Sequence, residues 1–541
     1  MDARPLSMLD PSAFPDSFAR DRLPPAELWP VFHPPPGGDY PRRMNAATEL
    51  LDRAVAAGHG ARPALGTATE IWTYAELLDR ANRIAAVLTD DLGLVPGNRV
   101  LLRAANSPML AACWLAVLKA GGIAVATMPL LRARELSYVV DKARIRFALC
   151  DAALRDELDA TGAPLRMLCF NGDAADGLEA RAARKSGTFD DVVASHDDVA
   201  LIAFTSGTTG NAKGTMHFHR DVLSICDAWQ PVLRTTPDDV FAGSAPFAFT
   251  FGLGALLLFP LRHGASAVLL EQAKPELLLD AMARRRVTTL FTVPTLYRTM
   301  TPQVPDHDLG ALRTCISSGE HLPASVWEMW RAATGLRIQN SIGSTEMLHA
   351  FVAMPAGEAT PGPCGRPLPG HAARVVDEAM NDVPPGTVGR LAVRGPTGCR
   401  YLDDTDRQRA YVRDGWNLTG DAFTADAEGR FWYHARTDDM IVSAGYNISG
   451  AEVEEVLLDH PAVRECAVVG VPDAARGQIV KAFVVLADTA AAGEALTLAL
   501  QERVRACIAP YKYPRAIAYV AALPRTPTGK IQRNLLRDGA E

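Results

Sequence analysis

The sequence predicts an α/β fold with largely parallel sheets, followed by a smaller α+β unit. Three observations carry this. Helix-period windows alternate with short apolar, β-branched runs from Ala46 onward. An apolar run leads straight into a glycine- and hydroxyl-rich loop at Thr205–Gly214. Near Arg436 the pattern changes to a helix, two strands and a further helix. With 541 residues, 48% of them hydrophobic, the chain can bury sizeable cores, and its length suits about two to four domains or subdomains.

Residues 1–45 are rich in proline and are expected to be irregular. Thr73–Leu88 carries helical periodicity. Met109–Leu131 is the most membrane-like stretch, but Lys119, Gly121 and Gly122 interrupt it. It reads as a buried helix at Pro108–Ala120, a turn, and a strand at Ile123–Met128, and not as a membrane span. Gly172–Gly187 is small and polar and reads as a surface excursion. Ala200–Thr205, Ala265–Leu270 and Thr289–Val293 read as strands. Ser244–Gly254 (SAPFAFTFGLG) alternates Phe247, Phe249 and Phe251, which fits either a core strand edge or a pocket wall. Gly450–His460 reads as a helix with Val453, Val456 and Leu457 on one face. Strands at Glu465–Gly470 and Ala482–Leu486 and a helix at Leu496–Cys507 follow.

The chain has 55 basic and 62 acidic residues, a net charge of −7, which argues against nucleic acid or an anionic membrane as partner. Nine cysteines without a C-x-x-C pair suggest neither a metal site nor a disulfide framework, and a reducing cytoplasm fits. Cys113, Cys150 and Cys507 read as small core residues. The N-terminal stretch lacks an apolar signal core.

Ala203–Gly214 reads AFTSGTTGNAKG. Glycine lets backbone approach an oxyanion closely, and exposed N–H groups and hydroxyls can then surround phosphate oxygens. Thr205, Ser206, Gly207, Thr208, Thr209, Gly210 and Lys213 are therefore candidate phosphate ligands. Composition alone leaves a Ser/Gly surface turn open. A Walker A loop needs glycine directly before the lysine, and here Ala212 holds that place.

FTSGTTGNAKG resembles the signature loop of the adenylate-forming superfamily: acyl-CoA synthetases, aryl-CoA ligases, peptide-synthetase adenylation domains and luciferases. Their usual form has proline where this chain has Ala212. The resemblance continues in order over roughly residues 50–535. SSGE (Ser317, Ser318, Gly319, Glu320) resembles the segment that borders adenine. NSIGSTE, with Ile342, Gly343, Ser344, Thr345 and Glu346, resembles the Y-G-x-T-E segment. TGD at Thr419–Asp421 resembles the ribose-binding motif, RTDDMIVSAG from Arg436 to Gly445 the hinge, and PRTPTGK from Pro524 to Lys530 the C-terminal lysine loop.

The resemblance implies a large N-terminal domain, residues 1–437, of stacked α/β sheets with a β-subdomain. It implies a small mobile α+β C-terminal domain, residues 438–541. The implied activity is an AMP-forming ligase that joins a carboxylic acid to coenzyme A through an acyl-adenylate, using ATP and Mg²⁺. It would be a cytoplasmic monomer or homodimer with small molecules as its partners. In that chemistry a carboxylate meets the α-phosphate, so cationic groups and a hard metal must offset the repulsion. Lys530 would reach the substrate carboxylate and α-phosphate, Thr345 would donate to the α-phosphate, and Glu346 would hold Mg²⁺. Asp421 would accept from the ribose diol, with Arg436 adding donors. Ile342 stands where the family often stacks an aromatic ring on adenine. Asp438 matches the hinge, and Ser443, Ala444 and Gly445 would face the site during thioester formation. Taken singly, each residue keeps its plainer reading: a solvated lysine, a Thr–Glu helix start, or surface or capping acids.

For the acid itself, Ala248 stands where amino-acid-activating domains carry an aspartate, and a buried ammonium without a counter-charge is costly. FTFGLG together with IGSTEMLHAF resembles the benzoate-CoA and 2-aminobenzoate-CoA ligase branch. SAGYNISGAEVEE and SFARDRLPP tilt towards the 2-aminobenzoate side. A flat ring suits a pocket edged by Phe249, Phe251 and His349, although His349 reads equally as a satisfied structural histidine. Two alternatives stay open: an adenylating ligase for aliphatic acids or a carrier-protein thiol, and a catalytically silent nucleotide-binding protein.

Overall fold

The computed structural model describes residues 9–34, 36–205, 212–443, 446–473, 476–487, 492–526 and 530–539. Six strands form one sheet in the order Arg166–Phe170, Phe147–Asp151, Arg99–Arg103, Ile123–Thr127, Val199–Thr205, Lys213–Phe218. Neighbours are parallel except the last pair. A second sheet has the parallel run Ile338–Gly343, Thr314–Ser317, Thr289–Thr292, Val240–Gly243, Ser266–Val268, Pro63–Gly66. Antiparallel strands close it, Ile71–Thr73 at one edge and Ala350–Ala353 with Arg366–Pro367 at the other.

Side-chain alternation along these strands sets the stacking. Val100 and Leu102 enter a core shared with the helices Tyr74–Ala86, Pro108–Lys119 and His219–Leu233, while Leu101 enters another. Phe241 and Phe291 of the second sheet point into that same shared core. Ala242 and Leu290 face the helices Pro275–Arg285 and Ala324–Thr334 on the far side. The three shared helices therefore lie between the sheets, and both sheets are covered on both faces, as parallel sheets require. This explains why Pro108–Lys119 is apolar all round. Ser107 caps it by accepting from the Leu110 N–H at 3.2 Å. Its last residue, Lys119, is fully buried and pairs with Asp52 at 2.6 Å and Asp191 at 2.8 Å. The charge that breaks the apolar stretch is thus neutralised inside. Thr73 and Glu76 form a capping box at the start of Tyr74–Ala86.

A five-stranded antiparallel unit follows: Ala372–Val376, Gly389–Arg394, Trp416–Ala425, Val412–Arg413 and Phe431–Arg436. After it come a hairpin (Ile441–Ser443, Tyr446–Ile448) and a three-stranded sheet (Val463–Asp473, Gly477–Leu486, Ala516–Tyr519). The helices Gly450–Leu458 and Glu494–Cys507 share the core of that last sheet. No described helix is long and apolar enough to cross a membrane.

The N-terminal segment has little regular structure, as expected, and its Phe14, Phe18 and Trp29 are buried against the outer face of the six-stranded sheet. Gly172–Gly187 runs mostly at the surface, as expected, and holds a short helix, Leu178–Ala182, anchored by fully buried Leu178. Two expectations need correction. SAPFAFTFGLG is not a strand edge: after Val240–Gly243 the chain turns and starts a helix at Thr250. A side chain at Gly252 would meet the Ala245 and Pro246 carbonyls at 2.3 and 2.4 Å, so glycine there lets the helix fold back on its own turn. Cys113 and Cys150 are buried, but Cys507, at the end of its helix, is exposed.

Candidate active site

Three of the predicted segments lie at carboxyl ends of parallel strands, where open α/β sheets bind ligands. Thr205 ends Val199–Thr205, Ser318 follows Thr314–Ser317, and Gly343 ends Ile338–Gly343. Ser206, Gly207, Thr208, Thr209 and Gly210 lie outside the described residues, as do Ala444 and Gly445. At the loop's far end Lys213 opens the strand Lys213–Phe218, and its N–H reaches Thr205 Oγ1 at 3.4 Å.

Beyond Gly343 the chain makes one tight 3-10 turn, Thr345–Met347, before returning as Ala350–Ala353. Gly343 has no room for a side chain, since a Cβ would stand 2.5 Å from Ala350 Cα. Ser344 caps the turn, accepting from Met347 N–H at 3.3 Å, and its hydroxyl meets Tyr411 Oη at 3.3 Å. Leu348 closes the turn at φ +67°, an uncommon conformation for leucine and a point of stored strain. The turn is gripped from outside. His217 Nε2 donates to the Thr345 carbonyl at 2.8 Å, and Thr397 Oγ1 donates to the Met347 carbonyl at 2.7 Å. Burial holds the His217 pKa down at about 4, so it is neutral, and the proton is on Nε2 because a carbonyl only accepts.

Glu346 is 8% exposed, and Tyr401 Oη donates to its Oε1 at 2.6 Å. Burial first, then the adjacent carboxylate, raises the Tyr401 pKa and keeps the phenol protonated. Among the described residues no donor reaches Glu346 Oε2. A sequestered carboxylate with one oxygen spoken for and one open fits a hard divalent cation beside phosphate.

Asp421 and Arg436 face each other across the strand pair Trp416–Ala425 and Phe431–Arg436. Arg436 Nη1 donates to Asp421 Oδ1 at 2.9 Å and to the Thr419 carbonyl at 3.0 Å. Burial raises the Asp421 pKa, and Arg436 pulls it back. Lys530 sits where its loop closes on itself: Thr526 N–H donates to the Lys530 carbonyl at 2.8 Å, and Lys530 N–H donates to Thr526 Oγ1 at 3.1 Å. Its side chain is exposed. Desolvation by the surrounding protein lowers its pKa, the Arg436 charge adds to this, and Asp421, Glu320 and Glu346 oppose it.

Other predicted residues are placed differently. Glu320 accepts from Thr295 Oγ1 at 2.6 Å and from its N–H at 3.2 Å, so its carboxylate caps the helix Pro294–Met300. Ile342 is half-buried against the core of the five-stranded unit. Asp438 lies in the 3-10 turn Thr437–Asp439, and Ser443 is buried with Arg476 Nε 3.3 Å from its hydroxyl. Phe249 and Phe251 are half-buried, and Phe251 packs on Phe291 and His349 at centroid distances of 5.7 and 5.6 Å. Trp229 Nε1 donates to His349 Nδ1 at 2.9 Å, and His349 Nε2 lies 3.3 Å from the Phe251 carbonyl. Burial drops its pKa to about 3, and both ring nitrogens are engaged. His349 is therefore a satisfied, buried histidine.

Sequence reasoning missed Tyr401, His217 and Thr397, whose partners lie far along the chain. It also missed Glu455 of the helix Gly450–Leu458, which accepts from the Ala324 N–H at 2.9 Å and so caps the helix Ala324–Thr334. Ser449 and His434 are joined by a hydrogen bond, and Arg537 pairs with Asp439 at 3.0 Å.

Comparison with known proteins shows the family. The family described as "AMP-binding enzyme" matches residues 52–400, and "AMP-binding enzyme C-terminal domain" matches residues 452–530. A benzoate–CoA ligase of Thauera aromatica is 36% identical, covering 93% of this chain and 97% of that protein. A 3-hydroxybenzoate–CoA ligase of Aromatoleum sp. (strain CIB) is 32% identical, covering 92% and 97%. The crystal structure of the anthranilate CoA ligase AuaEII in complex with anthranoyl-AMP superposes with a TM-score of 0.87 at 32% identity, covering 93% and 98%.

Proposed function

The chain belongs to the AMP-binding enzyme family, and from that premise we propose an ATP-dependent aryl-CoA ligase. It converts an aromatic carboxylate of the benzoate or 2-aminobenzoate type to its CoA thioester through an acyl-AMP, releasing AMP and pyrophosphate. The observation that supports the adenylation step is that the two acids are held in place, Glu346 by Tyr401 at 2.6 Å and Asp421 by Arg436 at 2.9 Å, and both act on the charge of Lys530. In the first half-reaction a carboxylate oxygen of the acid bonds to the α-phosphorus as the bond to the bridging oxygen breaks and pyrophosphate leaves. Lys530 and Lys213 offset the charge that gathers there; one such group lost costs about 10²–10³ in rate. Thr345 donates to the α-phosphate, and Asp421, oriented by Arg436, accepts from the ribose. Glu346 would hold Mg²⁺, which would neutralise phosphate charge when bound. In the second half-reaction the CoA sulfur bonds to the acyl carbon and AMP leaves.

The aryl assignment is supported by the aromatic cluster in which Phe251 packs on Phe291 and the buried His349 ring. Both His349 nitrogens are already engaged, so a ring bound against Phe249 and Phe251 would be recognised by shape and contact. Ala248 offers no counter-charge to an α-ammonium. Acid-dependent exchange of pyrophosphate into ATP tests the chemistry. A panel of benzoate, 2-aminobenzoate, hydroxybenzoates and medium-chain acids, with AMP and thioester detection, tests the substrate. Turnover of the aliphatic acids alone would overturn the aryl reading. We also read residues 1–437 and 438–541 as two domains of a cytoplasmic monomer or homodimer, which limited proteolysis, fractionation and light scattering would check.

A further inference from the structure

We propose that Tyr401 is the positioning residue for the Glu346 carboxylate, and that it couples this carboxylate to the strand that carries Lys213. The proposal rests on the functional reading above. Three side chains grip three consecutive residues of the turn, and they do different things. His217 and Thr397 hold the carbonyls of Thr345 and Met347, so they fix backbone. Tyr401 alone among these three reaches the Glu346 side chain. A glutamate on a well-held backbone still has three side-chain torsions, and the 2.6 Å hydrogen bond restrains them by fixing Oε1.

Tyr401 is itself firmly seated. Its segment runs antiparallel to Lys213–Phe218: Met216 N–H donates to the Arg400 carbonyl and Leu402 N–H to the Gly214 carbonyl, both at 2.8 Å. Arg400, next to it, is fully buried, pairs with equally buried Asp221 at 2.7 Å and lies 3.9 Å from the Phe218 ring centroid. The Tyr401 ring meets the Tyr411 ring edge-on at 5.8 Å, and Lys213 Nζ lies 5.8 Å from its centroid. One side chain thus touches the candidate metal ligand through its hydroxyl and neighbours the phosphate-loop lysine through its ring. A displacement of either element is passed to the other through Tyr401.

Tyr401→Phe separates the two contacts, since it keeps the ring and deletes only the hydroxyl. ATP binding is measured by calorimetry with and without Mg²⁺. The gain in affinity that Mg²⁺ confers should fall about tenfold, the effect of freeing one restrained carboxylate. Metal-free ATP binding should stay within about twofold of wild type, because the turn's backbone is held independently. The half-saturating Mg²⁺ concentration for pyrophosphate exchange should rise by a similar factor. Thioester formation from supplied acyl-AMP should be unchanged. Mg²⁺ titrations that superimpose on wild type would overturn the proposal. So would parallel loss of metal-free ATP binding and both half-reactions, which would make Tyr401 merely structural. If the wild type exchanges no pyrophosphate with any acid, the ligase reading fails, while the calorimetric comparison still decides the role of Tyr401.

Discussion

Lys530 and Glu346 belong to segments almost two hundred residues apart, and each is useful only because of what holds it. Lys530→Ala should cut adenylate formation by about 10²–10³, the typical cost of one charge-stabilising group, yet spare thioester formation from supplied acyl-AMP. Comparable loss in both half-reactions, measured separately, would remove Lys530 from the adenylation step. Asp421→Asn keeps the shape but deletes the charge that Arg436 pairs with at 2.9 Å. Hydrogen bonds to charged groups are worth about 1.5–3 kcal/mol, so the KM for ATP should rise tenfold or more with the fold intact. At this scale the sequence offers candidates where short motifs stand: GSTE, TGD and PTGK single out Thr345, Glu346, Asp421 and Lys530 without a structure. It was silent on Tyr401, because its partner Glu346 is 55 residues away and no local pattern links the two. It left His349 open because only the Trp229 and Phe251 contacts show that both ring nitrogens are engaged.

Elements turn these residues into a site, and the turn after Ile338–Gly343 is the sharpest case. Gly343→Ala would drive a Cβ to 2.5 Å from Ala350 Cα, 2.6 Å from Ala350 N and 2.6 Å from the His349 carbonyl. These are backbone atoms, which cannot swing aside. A loss of about 1–3 kcal/mol is expected, with a lower Tm and weaker Mg²⁺-dependent ATP binding as Thr345–Met347 shifts. An unchanged Tm and unchanged ATP binding would show that the strand pair tolerates the methyl group. Helices and strands were legible from their periods because each buries one face or, as in Pro108–Lys119, all faces. The stacking of two sheets about shared helices was not legible from that pattern, since periodicity says which face is apolar and not what covers it. Ser244–Gly254 misled for the same reason. The spacing of its three phenylalanines matches a strand, but Gly252 permits a tight return that periodicity does not register.

Across the whole molecule, buried neutral histidines set a pH limit. His217 has its pKa lowered to about 4 and His219 and His349 to about 3, in each case mainly by burial. In the unfolded chain all three titrate near ~6.5. Above that value neither state binds the protons, so stability is unaffected. As pH falls below it the unfolded chain takes up protons that the native state refuses. Stability is therefore lost down to about 4 for His217 and about 3 for the other two. Each histidine contributes up to about 1.4 kcal/mol per pH unit. The Tm by scanning calorimetry should fall clearly between pH 7.5 and 5, and a flat profile would contradict this. The pairing of Pro63–Gly66 with Ser266–Val268 has a consequence for how the molecule is made. Leu65 and its partner Ala267 are about 200 residues apart, so at roughly 5–20 residues per second the first strand leaves the ribosome about 10–40 s before its partner exists. During that interval Pro108–Lys119 also lacks its second covering sheet. The nascent chain must carry this apolar helix unshielded, and expression yield should depend on chaperone supply more than the finished protein's stability would suggest.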